Sequence, residues 1–388
     1  MLNHPDRARM TGDLERLVAF NTENPPGREV EAARFLADRL HEAGFDISLS
    51  EFMPGRVNMV ARLDNGPGPV FAFNSHIDTV PAGGGWTSDP FRLVERDGRL
   101  VGRGSCDAKG PIAAMVEALR MMAAARSSWS GTLLGVFVAD EETESRGAKS
   151  FAAGRPRIDQ VVIGEPTSNT TFTAHKGSLR PIVRVHGVMA HSGTPHLGEN
   201  AIYKAGKLLG LIEQHHETCV CKRCHPLVGS ASLTVTRMTA GIADNVVPDA
   251  CDLMLDRRMV PGEDEEAVKR ELYALLDTAK HEFGVRAEII AFQPTTGGPT
   301  ETAISEPIVK ACMDSAGENG YPHDAPQGFQ GGCDLVHFRS LGAVGTVLGP
   351  GSLAVAHKPD EFVPIEEFVG SARIYGDVAL RMLRSTAA

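Results

Sequence analysis

The chain is predicted to be α/β: a helix-covered mixed sheet with a two-layer α+β module inserted into it. Three observations predict this. Residues 70–73, 133–138, 161–163 and 344–348 are short, almost wholly apolar and β-rich, as strands buried on both faces of a covered sheet are. Segments with helical apolar spacing lie among them. Between 177 and 292 the pattern changes to alternating apolar and polar positions, as in strands with one wet face.

Taken in order, residues 10–20 and 28–43 have helical spacing, with the turn Asn24-Pro25-Pro26-Gly27 between them. Residues 47–52 and 58–63 read as strands, and 109–125 as a helix covering the sheet. In the inserted module, 180–186 and 232–238 alternate, and helical stretches near 199–214 and 263–282 punctuate them. The Gly-rich 294–300 is expected to be the return linker. The expected division is therefore 1–176 with 293–388, and 177–292.

A chain of 388 residues is too long for one ordinary core, which agrees with two domains. The net charge of −10 argues against nucleic acid or an anionic membrane surface as a partner. No signal peptide and no membrane-spanning run are recognisable. Seven cysteines, odd in number and crowded around 219–251, do not form a disulfide framework. A reducing cytoplasm is the expected compartment.

Candidate chemistry follows the apolar runs. His76 and Asp78 come after the first, Asp140-Glu141-Glu142 after the second, Glu165 after the third, and a Gly-Pro-Gly loop leads from the fourth to His357. Asp107 stands just ahead of the helix at 109. In open α/β sheets ligands bind outside the carboxyl ends of the strands. Each residue alone has an ordinary reading: a strand-end pair, a solvated loop, a helix N-cap for Asp107, a surface histidine. Their shared position makes them a candidate metal site. His, Asp and Glu donors without cysteine suit zinc, and equally cobalt or manganese. With Asp107 bridging, His76, Asp107, Glu142, Glu165 and His357 give each of two ions three protein donors and leave room for a shared water. Asp78, two residues from His76 on extended backbone, can orient its imidazole. Glu141, not needed for coordination, can serve as general base.

The motifs SHIDTVP (75–81), WTSDPF (86–91), GRGSCDAKG (102–110), ADEETESRGA (139–148), GEPT (164–167), AHKG (174–177) and AHKPDEF (356–362) resemble those of the M20 metallopeptidase family. The likeness is to its acetylornithine deacetylase and succinyl-diaminopimelate desuccinylase branch. It implies His76, Asp107 and Glu165 at one metal and Asp107, Glu142 and His357 at the other. It also implies Glu141 as base, Asp78 behind His76, and a cis Asp107–Ala108 peptide. The inserted module then corresponds to a lid that also makes a homodimer. In it the resemblance implies that His191 reaches the partner subunit's active site to steady the oxyanion. Arg258 clamps a substrate carboxylate, although the neighbouring Arg257 is an alternative and a surface ion pair the plainer reading. Asn245 contributes to substrate binding. Gly332, in Gly331-Gly332-Cys333-Asp334, belongs to a carboxylate-binding loop, where Cys333 replaces the usual Thr or Ser.

The implied reaction is metal-dependent hydrolysis of the amide bond of an N-acyl-L-amino acid. The small-molecule substrate is acetylornithine-like, or desuccinylase-like, with a carboxypeptidase or dipeptidase of the same family as the other enzymatic reading. A catalytically silent metal-binding homologue would be expected to lose Glu141 or Asp107, and both are present. A nucleotide-binding α/β protein would need a phosphate loop, and Gly83-Gly84-Gly85 lacks the following Lys-Ser/Thr. Cys219, Cys221, Cys224 and His225 could supply a structural zinc site, but their cramped spacing favours exposed or partly buried thiols.

Overall fold

The structure is a computed structural model and describes residues 2–384. Among these residues a nine-stranded sheet runs in the order Asp46–Met53, Arg56–Asn65, Gly131–Val138, Val70–His76, Gln160–Ile163, Val344–Val347, Phe172–His175 and Thr300–Glu301, with Gln327–Phe329 paired to Phe172–His175. The four apolar runs are its centre and are mutually parallel where they meet. Both Val70–His76 and Gly131–Val138 are buried at every position, which explains their lack of alternation. The outer strands Asp46–Met53 and Arg56–Asn65 are antiparallel. The sheet is thus mixed, and helices cover it.

Register decides where the chemistry emerges. His76 lies opposite Val138, Asn74 opposite Ile163, and Val347 also opposite Ile163. The residues that follow these parallel strands therefore leave the sheet along one edge. The helix Lys109–Ala124 is buried on nearly all sides through Met122, apolar except for Lys109, Glu117 and Arg120, and it packs against Ile365–Leu383. Its entry is tight: a Cβ on Gly110 would meet the Ser105 carbonyl oxygen at 2.2 Å. The Asp107–Ala108 peptide just before it is cis, as are Asn24–Pro25 and Pro25–Pro26.

The chain forms two compact units. One comprises the chain up to Thr173, Glu301–Gly328 and the chain from Cys333 onward; the other comprises Ala174–Thr300 and Phe329–Gly332. The second has its own four-stranded antiparallel sheet, ordered Ser232–Ala240, Ala250–Met259, Gly177–His186, Arg286–Gln293. Burial alternates strictly along Ala250–Met259, so Leu253 and Leu255 join a core with Leu208, Ile212, Leu272 and Leu276 of its two long helices. Those helices, Ala201–Thr218 and Glu265–Phe283, are N-capped by Asn200 and Asp264, whose side chains accept helical N–H groups. This is a two-layer α+β arrangement. The segment 294–300 associates with this unit: Ser178 donates to the Gly297 carbonyl, and the Thr295 hydroxyl donates to that of Ser178. No helix among the described residues is long and apolar enough to cross a membrane.

Candidate metal centre

His76 closes its strand and is 1% exposed. Its Nδ1 lies 2.9 Å from the Asp78 main-chain oxygen and 3.6 Å from a carboxylate oxygen of the same residue. With the proton of Nδ1 given to that carbonyl, Nε2 is left as a lone-pair donor. Nε2 lies 3.1 Å from Asp107 Oδ1 and 4.0 Å from Glu165 Oε1.

The other Asp107 oxygen, Oδ2, is 3.3 Å from His357 Nε2, which is itself 3.1 Å from Glu142 Oε2. One carboxylate thus presents one oxygen to each of two imidazoles. His76, Asp107 and Glu142 also bring ligand atoms within 4.8 Å of one another. Asp107 is held by its backbone: its N–H and that of Cys106 both donate to Glu361 Oε1 at 2.9 Å, and Glu361 is fully buried and paired with Arg103.

Asp78 does more than face His76. Its carboxylate accepts the N–H of Glu141 at 3.1 Å and that of Glu142 at 3.2 Å, and the Asn24 amide at 2.8 Å. The loop bearing both glutamates is therefore tied to the residue behind the histidine.

Electrostatics follow from the crowding. Burial, then the neighbouring Glu165 charge, pushes the Glu141 carboxyl well above its ordinary range. Burial and Asp107 raise Glu165 well above it and Glu142 in the same direction. Burial opposes ionisation of Asp107, but the hydrogen bonds to His357 and His76 hold its carboxyl low. Hydrogen bonds to Asp107 and Glu142 push His357 up to about 10. Such mutual raising of carboxylates marks an excess of negative charge that divalent cations would neutralise. The donor set of two imidazoles and several carboxylates fits zinc, cobalt or manganese.

The remaining sequence candidates lie in the second unit. His191 is exposed on the short strand Ala190–His191, paired with Val246–Val247, and its Nδ1 accepts the Gly193 N–H at 2.9 Å. Asn245 is beside it on the same ribbon, its carbonyl accepting the Ser192 N–H. Arg257 is buried against Glu263, whereas Arg258 is partly exposed and forks onto Asp256 at 2.7 and 3.3 Å. A Cβ on Gly332 would stand 3.3 Å from Thr296 Cβ. Cys333, in the first unit, is buried, and burial pushes its thiol well up.

Cys219 and Cys224 are exposed and Cys221 half-buried. The Cys221 and Cys224 thiols donate to nearby carbonyls, and His215 pairs with Glu271 at 2.5 Å. Among the described residues, the group of three or more metal-type donors close enough to share an ion is the one at His76.

Asn24 and Glu361 had no role assigned from sequence, although both stand in recognisable segments, NPPG and AHKPDEF. Asp334 is a third: it is buried, and burial pushes its carboxyl up to about 7. The visible signal in each case was only a polar residue beside turn residues.

Comparison with known proteins identifies the family. The model of peptidase family M20/M25/M40 matches residues 72–381. The chain is 31% identical over 338 residues to the acetylornithine deacetylase of Vibrio vulnificus, covering 85% of this chain and 86% of that one. It is 30% identical over 409 residues to a Staphylococcus epidermidis protein named probable succinyl-diaminopimelate desuccinylase, covering 97% and 98%. The crystal structure of aminopeptidase PepT from Bacillus cereus superposes with a TM-score of 0.78 at 21% identity, covering 97% and 99%, which shows the shared fold. The chain belongs to peptidase family M20/M25/M40 and is a metallohydrolase of the deacylase and peptidase kind.

Proposed function

We propose that the chain hydrolyses the amide bond of an N-acyl-L-amino acid, in the manner of an acetylornithine deacetylase. The observation that most supports this is the Asp107 carboxylate, one oxygen 3.1 Å from His76 and the other 3.3 Å from His357. His76, Asp107 and Glu165 would hold one divalent ion, and Asp107, Glu142 and His357 a second, with zinc the first choice and cobalt or manganese next. The chemistry such ions would supply when bound is polarisation of the scissile carbonyl and a lowered pKa of water.

Glu141 accepts the proton of the attacking water and returns it to the amine nitrogen as the C–N bond breaks. Asp78 steadies both ends of this arrangement, through the His76 ring and the Glu141 N–H. The second unit acts as lid and dimerisation module of a homodimer. From it His191 of the second copy donates to the oxygen that gains negative charge. The Arg258 fork binds the substrate carboxylate, with Asn245 and Gly332 beside it.

A second reading, hydrolysis of an N-succinyl amino acid, is favoured by the match over 97% of this chain to the Staphylococcus epidermidis protein. A panel of N-acetyl, N-succinyl and dipeptide substrates separates the two. Turnover of N-acetylornithine above the others is expected. Preference for the succinyl compounds selects the second reading, and cleavage of dipeptides alone rejects both.

A further inference from the structure

Behind the loop that carries Glu141 and Glu142 lies a buried charged assembly that the proposed chemistry leaves unused. Arg56, the first residue of its strand, is 5% exposed, Glu29 is 0% and Asp140 is 1%. The Arg56 Nε lies 3.1 and 2.9 Å from the two Glu29 oxygens. Its Nη2 lies 2.8 Å from Glu29 Oε1 and 3.0 Å from Asp140 Oδ1. Its Nη1 reaches the Asn24 side-chain oxygen at 3.5 Å and the Pro26 carbonyl at 3.4 Å. Gly27, at φ +74°, closes over this group, and a Cβ there would sit 2.3 Å from the guanidinium carbon.

From Arg56 the contacts continue without a gap to the reacting loop. The Asn24 Nδ2 donates to Asp78 Oδ2 at 2.8 Å, to Asp140 Oδ1 at 3.1 Å and to Thr143 Oγ1 at 3.1 Å. Asp140 organises the turn that follows it. Its Oδ1 accepts the Thr143 hydroxyl at 2.7 Å, its Oδ2 the Arg146 N–H at 3.2 Å, and its carbonyl the Ser145 N–H at 2.6 Å. Asp78, held by Asn24, accepts the N–H groups of Glu141 and Glu142.

A scaffold alone gives little reason for this charge. Burying a guanidinium is costly, and apolar residues of similar volume often serve stability as well or better. What the buried cation adds is geometry: its Nε and Nη1 hydrogen-bond Glu29, Asn24 and Pro26. Its Nη2, in ion-pair contact with Asp140 but without a hydrogen bond to it, offsets repulsion among Glu29, Asp140 and Asp78.

We propose that Arg56, clamped by Glu29, is a positioning residue for the hydrolytic reaction, fixing the Asp140–Ser145 turn through Asp140 and Asn24. In that position Glu141 would face the reacting atoms and Glu142 would be placed to hold an ion. This rests on the reading of Glu141 as base and Glu142 as ligand.

The test compares Arg56→Met, Arg56→Lys and Glu29→Gln in the full-length, metal-loaded protein, with hydrogen exchange read at the amides of Glu141 and Glu142. Arg56→Met is expected to lower kcat by about 100-fold, with KM changed by less than about threefold. Exchange at Glu141 and Glu142 should rise by about tenfold while Val70–His76 keeps its protection. Arg56→Lys, which keeps the charge and loses the fork, should recover part of that loss, and Glu29→Gln should stay within about fivefold of wild type. A folded Arg56→Met protein with wild-type kcat and wild-type exchange at 141–142 overturns the proposal. So does loss of protection spread evenly over the first unit, which would mark a scaffold role. If Arg56→Met does not fold, Arg56→Lys carries the test: wild-type kcat and exchange there overturn the proposal equally. Should Glu141→Ala retain activity, the functional reading falls by itself. The exchange result still decides whether Arg56 sets this turn.

Discussion

The Arg56–Glu29 pair of the first unit and the Arg184–Asp252 pair of the second are both guanidinium–carboxylate ion pairs. Their surroundings differ: the side chains are 5% and 0% exposed in one and 41% and 32% in the other. The cause lies in the sheets. Arg56 opens an antiparallel strand whose first four positions are all buried, and Glu29, just ahead of the helix Val30–His41, is buried with it, so these polar groups are enclosed and must satisfy one another. The antiparallel sheet of the second unit keeps one face in water, and its charges need no mutual support. Buried, a charged group has a fixed position and a strong field; exposed, it is screened. Of the metal-type donors, His76, Asp107 and Glu165 sit with the first kind of charge, while His357 is exposed.

This contrast can be broken or sharpened in four ways. Removal of divalent ions with a chelator should abolish turnover and lower the melting temperature, because ions bound by the folded state stabilise it by mass action. Zinc or cobalt should restore both; full turnover in demonstrably metal-free protein would end the metal reading. Glu141→Ala should lose about 10²–10⁴-fold in kcat while metal analysis still finds the wild-type complement. Wild-type turnover in that variant would reject Glu141 as the base.

Next in size is Glu361→Ala, which strips the buried Arg103 and two backbone N–H groups of their acceptor. Chemical denaturation should show a loss of about 3–5 kcal/mol, the usual cost of leaving one partner of a buried pair uncompensated. The smallest effect is expected for Arg184→Ala, whose denaturation midpoint should not move measurably. A shift there as large as that of Glu361→Ala would mean that exposure does not separate the two units.

Much of the fold was legible because hydrophobic period reports which faces a segment buries. The runs around 70, 133, 161 and 344 lack alternation because both faces of those strands are covered. The stretch at 180–186 alternates because one face is wet. Asn24, Arg56 and Glu361 were not legible as a supporting frame. Glu361 meets Asp107 across 254 positions and Asn24 meets Asp78 across 54, and no local pattern encodes such pairings. The choice between Arg257 and Arg258 was likewise open in the sequence. Burial of Arg257 against Glu263 leaves Arg258 as the guanidinium nearer solvent.

By itself, then, the order of residues determined that His76, Asp140-Glu141-Glu142 and Glu165 would follow buried strands, since strand periodicity and the chain's direction suffice for that. Only the tertiary structure decided that parallel register brings those ends to one edge, with one Asp107 oxygen facing each histidine and Asp78 holding the N–H groups of both glutamates. The physical reason is one of scale. Burial patterns tolerate shifts of an ångström without changing which face is apolar. A hydrogen bond or a metal site is made or lost within such a shift.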